Sequence, residues 1–313
     1  MIPFRITFLG TGAGLPTLQR GVSSLVIQIN REYLMIDCGE GTQIQMQRFG
    51  IKSGHINHIF ISHLHGDHFF GLPGLLFTYH LFSRQKPLHI YGPDNLENSL
   101  KAIMHVEWSV LSYQLHFHTI SSDEPLVILE GRDFKMSCFP LMHRIASYGF
   151  KIVEKESPFY KLRKEALNKW KPDIKAIKSL CLGADFITFE GEVIPNEVFS
   201  FPKAPPRSFA YLSDTSYLPE LKSIIHEVSV LYHEATYLKG EEENAFLKGH
   251  STDLQAAELA KAANVKKLLL GHISPKIIDP QILIENTQST FHDTFVVYDG
   301  FSDRKSTRLN SSH

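Results

Sequence analysis

Apolar residues along this chain fall in short, dense runs: Phe4–Leu9, Leu25–Ile29, Tyr33–Ile36, His58–Ile61, Leu88–Tyr91, Phe134–Phe139, Tyr148–Val153, Ser208–Leu212, Val228–Tyr232, Lys267–Leu270 and Thr294–Val297. Runs of this length, rich in Val, Ile, Phe and Tyr and bounded by turn-forming residues, predict β-strands. Helical patterns separate them. The clearest covers Thr252–Ala263, where Thr252 and Gln255 have capping-box spacing and Leu254, Ala257 and Leu259 supply an apolar face. A second helix is expected near Gln43–Arg48, after a turn that Gly39 and Gly41 permit. Strands alternating with helices imply a layered α/β fold. The chain shows neither internal repeats nor long low-complexity linkers.

One segment breaks the pattern. Residues 151–182 hold nine Lys or Arg against four acids, a local net charge of +5, and a Pro-rich stretch, Pro202–Pro206, precedes the next strand. Residues 151–207 therefore read as a basic insertion in a main body of residues 1–301, and the polar tail 302–313 is set aside as disordered or non-native. Composition changes the picture little elsewhere. At 313 residues, with 43% hydrophobic and 21% charged residues and a net charge of −1, the chain is of ordinary globular type and not a general nucleic-acid sponge. No apolar run is long enough to span a membrane. The opening residues lack a signal-peptide pattern, and three cysteines make no disulfide framework, so a reducing cytoplasm is expected. The informative number is 17 histidines, a high share that points toward metal or proton-transfer chemistry.

The chemistry concentrates in His63-Leu64-His65-Gly66-Asp67-His68, directly after the apolar run His58–Ile61. Three imidazoles and a carboxylate within six residues form a donor set suited to Zn²⁺ or another first-row metal such as Mn²⁺ or Fe²⁺. His63 and His65, two apart in an extended segment, can face one centre, and Asp67 and His68, past the Gly66 turn, a second. The arrangement recurs: His143, Asp214, His233 with Glu234, and His272 each follow an apolar strand. Loops at one rim of a sheet are where a rigid scaffold presents functional groups. Asp37, at the end of its strand, is expected to support a turn or a ligand histidine rather than to take part in catalysis.

His63–His68 resembles the H-x-H-x-D-H signature of the metallo-β-lactamase superfamily, and the chain as a whole is similar to its ribonuclease Z family over about residues 1–300. The carriers are Phe8-Leu9-Gly10-Thr11-Gly12, Asp37–Gln43, Ser62–His68 running into Gly71–Leu76, Leu212–Thr215, His233-Glu234-Ala235-Thr236 and Gly249-His250-Ser251-Thr252. The resemblance implies an αβ/βα four-layer sandwich with a projecting arm. It implies two zinc ions per subunit, one on His63, His65 and His143, the other on Asp67, His68 and His272, with Asp214 bridging. It implies cleavage of precursor tRNA after the discriminator base by a hydroxide held between the metals, oriented or deprotonated by Asp67. His250, oriented by Glu234, would protonate the departing oxygen, and His233 would support the metal ligands by a hydrogen bond. The basic insertion lies where the family carries its tRNA-gripping arm, so Lys161, Arg163, Lys164, Lys169, Lys171 and Lys175 are candidate phosphate contacts, and a homodimer is expected. Two departures stand out: the arm lacks the family's Gly-Pro-rich tip, and Pro275-Lys276 replaces the Arg-Tyr pair that usually follows His-x-Ser. Two other readings share these motifs: a small-molecule phosphodiesterase or other binuclear-metal hydrolase of the same fold, and a non-catalytic tRNA-binding protein with a structural metal.

Overall fold

Strands that are apolar at consecutive positions need cover on both faces, and the fold supplies it. The computed structural model describes residues 3–105 and 110–304. Its strands, in chain order, are β1 (Phe4–Gly10), β2 (Ser24–Ile29), β3 (Glu32–Cys38), β4 (Ile56–Phe60), β5 (Leu88–Pro93), β6 (Leu115–Ile120), β7 (Leu126–Glu130), β8 (Phe134–Leu141), β9 (Ser147–Glu154), β10 (Phe186–Ile187), β11 (Val193–Ile194), β12 (Ser208–Leu212), β13 (Val230–Glu234), β14 (Leu268–Gly271), β15 (Thr294–Val296) and β16 (Ser302–Arg304). They form two seven-stranded mixed sheets, ordered β16-β1-β2-β3-β4-β5-β6 and β15-β14-β13-β12-β9-β8-β7, with β10 and β11 as a separate hairpin.

The period of two along each strand sorts side chains into layers. Phe4, Ile6 and Phe8 of β1, Ile27 of β2, Phe209 and Tyr211 of β12 and Tyr232 of β13 meet between the sheets in one core. Their strand neighbours point outward. Leu9, Val26 and Met35 pack under the helices that supply Met46, Leu72, Leu76 and Leu100. Leu231, Leu268 and Leu270 pack under Leu221, Ala256, Ala257, Leu259 and Ala260. The result is the expected four-layer αβ/βα sandwich.

The capping box holds: the helix runs Asp253–Ala262, Thr252 accepts from the Gln255 amide, and Gln255 returns a bond to the Thr252 amide. Its buried face differs from the expected one, since Ala256, Ala257, Leu259 and Ala260 are buried and Leu254 is only half-buried. Small residues there let the helix lie close on β13 and β14.

Two boundaries also move. Residues 151–153 belong to β9, and the second compact unit is Glu154–Arg207. Ser302–Arg304, set aside with the tail, instead forms β16, antiparallel to β1 with Ile6 opposite Asp303. Residues 305–313 lie outside the described residues. The second unit has its own small core of Ala166, Leu180, Ile194 and Phe199, joined by Trp170 and Phe186. Among the described residues no helix is long and apolar enough to cross a membrane.

Candidate metal centre and proton-transfer pair

Each ligand-type residue sits just past, or at, the C-terminal end of a strand. Asp37 is the penultimate residue of β3, His63–His68 follow β4, His143 follows β8, Asp214 follows β12, Glu234 ends β13 and His272 follows β14. Three of them hold the left-handed backbone conformation that side chains normally avoid: Asp37 at φ 57°, Asp214 at φ 38° and His272 at φ 53°. Such positions persist where surrounding structure over-determines them, and here they turn side chains back over the strand ends.

Two groups of donors result. The nearest donor atoms of His63, His65, His143 and Asp214 lie within 4.8 Å of one another, and so do those of Asp67, His68 and His272. Asp214 faces both groups. Its Oδ1 is 3.1 Å from His68 Nε2 and 3.2 Å from His272 Nε2, and its Oδ2 is 3.6 Å from His63 Nε2 and 3.9 Å from His143 Nε2. Asp67 Oδ2 stands 3.4 Å from His272 Nε2 and accepts the Gly14 amide at 2.9 Å.

Further bonds fix each ring. His143 Nδ1 donates to the Gly249 carbonyl at 2.7 Å, so its Nε2 presents a lone pair to the cluster. His68 Nδ1 bonds Asp37 Oδ2 at 2.8 Å. Asp37 in turn accepts from the Ser62 amide and hydroxyl and from the Tyr211 hydroxyl, a buried carboxylate orienting a ligand histidine. Gly39 lets this loop close, because a Cβ there would lie 2.3 Å from the Asp67 carbonyl oxygen.

The donor set fits a metal. His65 Nδ1 lies 3.1 Å from both His63 Nε2 and His143 Nε2. One nitrogen carries at most one proton, so it cannot satisfy two neighbouring lone pairs. A tetrahedral ion with metal–nitrogen bonds of about 2.0–2.1 Å would space its ligands by about 3.3 Å, close to what is seen. Protonation favours the same reading. Burial, aided by the neighbouring imidazoles, holds His63 well below its ordinary value, and burial likewise lowers His65 and His143, leaving neutral ligands. Burial also opposes a charge on His68, but Asp214, Asp37 and Asp67 outweigh it and hold that ring well above its usual range. The site attracts positive charge.

Beside the donors is a second constellation. His250 Nδ1 bonds Glu234 Oε1 at 2.8 Å, and Glu234 is fully buried. Glu234 Oε1 also accepts the Thr215 amide, and its Oε2 accepts the Thr236 hydroxyl at 2.5 Å. Thr236 Oγ1 reaches His272 Nδ1 at 2.9 Å, tying the acid pair to the donor cluster. Donor atoms of His250, Asp214 and His272 lie within 4.8 Å of one another, so the imidazole borders the cluster. Sequence reasoning assigned no role to Thr236, Tyr211, Ser62 or Gly14. Thr236 lies in the quoted His-Glu-Ala-Thr motif and Ser62 in the quoted Ser62–His68 run; Tyr211 stands on β12 shortly before Asp214, and Gly14 lies past β1, which carries no ligand-type residue.

His233 behaves otherwise than expected. Its Nδ1 bonds the Glu234 backbone carbonyl, its Nε2 has no partner, and it makes no bond to a donor side chain among the described residues. Neighbours on a strand face opposite sides, so with Glu234 turned to the cluster His233 points toward the helix layer. In the second unit Lys161, Lys164, Lys169, Lys171 and Lys175 are exposed. Arg163 is partly spent internally: its Nε donates to the Ser200 carbonyl and its guanidinium lies 4.3 Å over the Phe201 ring.

A four-layer sandwich with this histidine and carboxylate cluster at its strand ends defines a metallo-β-lactamase-fold protein equipped to bind metal. The crystal structure of human tRNase Z, short form, superposes with a TM-score of 0.70 at 28% identity, covering 96% of this chain and 98% of that one. The metallo-β-lactamase fold protein YhfI from Bacillus subtilis gives a TM-score of 0.67 at 18% identity over 96% and 99% of the two chains, a likeness of fold alone. Ribonuclease Z of Bacteroides thetaiotaomicron is 40% identical over 294 residues, 94% of this chain and 93% of that protein. Ribonuclease Z of Parabacteroides distasonis is 38% identical over 300 residues, 96% and 98% of the two. The chain belongs to the ribonuclease Z family, and its residues 4–165 also match the family model described as Anti-Pycsar protein Apyc1.

Proposed function

We propose that this ribonuclease Z family member is a metal-dependent endoribonuclease that cuts precursor tRNA after the discriminator base, leaving a tRNA 3′-hydroxyl and a 5′-phosphorylated trailer. The observation that carries the reading is the Glu234–His250 pair, 2.8 Å apart and bordering the donor cluster without being needed to complete either of its two groups. His63, His65 and His143 would hold one zinc, Asp67, His68 and His272 the other, and Asp214 would bridge. Bound there, the ions would neutralise phosphate charge and acidify water.

The chain's own residues do the rest. Asp67 is held far below the carboxylate range: burial opposes ionisation, but His68 and His272 outweigh it. It therefore stays ionised, a fixed acceptor that orients the attacking water better than it removes a proton. His250 is raised to about 9, since Glu234 overcomes the burial that disfavours its charge. It enters the reaction as an imidazolium and delivers its Nε2 proton to the departing 3′-oxygen. Residues 1–153 with 208–304 act as the catalytic domain and the inserted unit as the tRNA-binding arm, through Lys161, Lys164, Lys169, Lys171 and Lys175 with the remaining Arg163 donors. The enzyme works as a homodimer in a reducing cytoplasm, with Mn²⁺ or Fe²⁺ as substitutes for Zn²⁺.

The test is cleavage of a 3′-extended precursor tRNA by wild type and His250→Ala, with metal content measured on both. Cutting at the discriminator by wild type, and its loss in a variant that keeps its metals, is the expected result. Turnover of bis(p-nitrophenyl) phosphate with no tRNA cleavage would replace this reading with a small-molecule phosphodiesterase. tRNA binding with neither activity would leave only a binding protein.

A further inference from the structure

Four histidines outside the catalytic cluster form a ladder on the first sheet. His58, His89 and His116 stand side by side as register partners on β4, β5 and β6, and His118 is opposite Tyr91 one step further along. Ring centroids are 5.1 Å apart for His58–His89, 4.9 Å for His89–His116 and 5.2 Å for His89–His118, all near-parallel. They continue the sheet's inner face: Phe60 and Tyr91 on it are core, whereas His58 and His89 are half-buried and His116 and His118 exposed. His89 Nδ1 and His118 Nε2 approach to 3.0 Å.

Among the described residues nothing balances a positive charge here. None of the four rings has a carboxylate partner among the described residues, and each of the titrating neighbours acting on His58, His89 and His118 is another imidazole. Burial and those neighbours hold His58 down at about 4 and lower His89 and His118, so the rings are neutral at neutral pH and the proton shared between His89 and His118 is the one a metal ion would displace. The nitrogen pair at 3.0 Å lies between the roughly 2.8 Å edge of a square-planar site and the roughly 3.3 Å edge of a tetrahedral one, for metal–nitrogen bonds of about 2.0 Å. A seat of imidazoles without carboxylates selects late first-row cations over Mg²⁺ or Ca²⁺.

We propose that His89 and His118, with the His116 ring stacked on His89, form a second transition-metal site, distinct from the catalytic cluster, that takes Cu²⁺ or Zn²⁺ and clips the edge strand β6 to β5. Because β6 pairs with β5 alone in its sheet, such a clip raises the resistance of that edge to opening. The site depends on nothing assumed about RNA cleavage.

The experiment uses zinc-loaded enzyme titrated with Cu²⁺. Electron paramagnetic resonance should show nitrogen-coordinated copper, and His89→Gln or His118→Gln should weaken its binding at least about ten-fold. Exposed His226→Gln should not. Precursor tRNA cleavage should persist in all three, which separates a failure of this site from a failure of the enzymatic reading. Should a ladder variant misfold, imidazole resonances of wild type decide the matter. Substoichiometric Cu²⁺ should broaden His89 and His118 before His226 and His292. Equal broadening of all exposed histidines, or copper binding indifferent to both substitutions, overturns the proposal.

Discussion

Glu234 carries a charge where burial alone would remove it. Burial raises its carboxyl, but the imidazole of His250 outweighs that and holds it below its ordinary range, and in return His250 rises to about 9. A general acid must start protonated, so kcat should be level through neutrality and fall as pH rises through about 9. Glu234→Gln removes the charge that raises the imidazole. Burial then prevails, and the falling limb of the pH–rate profile should move to lower pH; a limb that stays in place would mean His250 is not the acid. A second residue-scale effect concerns Gly249, whose φ of 75° suits glycine and whose absent Cβ would lie 2.7 Å from His143 Nδ1. Gly249→Ala should push that ring from its seat and lower the bound metal per subunit, read by plasma emission spectroscopy, with the fold retained by circular dichroism. The Glu234–His250 pairing is implied by the family resemblance, whereas the Gly249–His143 contact joins residues 106 apart in the chain and has no signal in either motif.

The helix Asp253–Ala262 shows how an element carries a site it does not contain. Its cap residue Thr252 bridges to Tyr237, and His250 donates its amide to the Ala245 carbonyl, so the segment holding the acid is pinned at both ends. Thr252→Ala should lower the unfolding free energy by about 1 kcal/mol in denaturant titration. It should also reduce kcat with metal content unchanged, since the loosened segment is the one that aims His250. That cap was legible in sequence because its signal is local, and so were most strands with unbroken apolar runs, although β7, with Leu126 to Leu129 all apolar, was not among those expected. Strand β6 was missed as well: Leu115, His116, Phe117 and His118 alternate apolar and polar, a strand-type pattern with no unbroken apolar run to mark it. Strand β16 was missed because its Ser-Asp-Arg sequence has no apolar period; backbone pairing to β1 and the Lys267–Asp303 ion pair at 3.1 Å hold it. Ending β13 at Tyr232 hid the fact that Glu234 is its last residue. Run to Glu234, the period of two would have sent His233 to the opposite face from the acid pair. The left-handed backbones of Asp37, Asp214 and His272 had no local signal at all, being imposed by the strand ends and bonds around them.

At the scale of the whole chain, the point of insertion of the second unit makes its role separable. Val153 on β9 and Ser208 on β12 are register partners in an antiparallel pair, so residues 154–207 leave and re-enter at one place. An Asn-Gly turn of the two-residue hairpin type can join them directly. The deleted unit holds its own core of Leu180, Phe199 and their neighbours, and the three cores of the sandwich are built from residues outside 154–207. The shortened protein should keep its metals and its turnover of bis(p-nitrophenyl) phosphate, because every donor and the Glu234–His250 pair lie outside 154–207. Its KM for precursor tRNA should rise steeply. The salt dependence identifies the cause. Contacts to phosphate release counterions, so each lysine engaged adds roughly one unit to the slope of log KM against log salt. Replacing Lys161, Lys164, Lys169, Lys171 and Lys175 by Gln in the full chain should therefore flatten that slope and weaken all tRNA sequences alike, leaving the reporter reaction untouched. A slope that is the same with and without the lysines would place the electrostatic grip on tRNA elsewhere in the molecule.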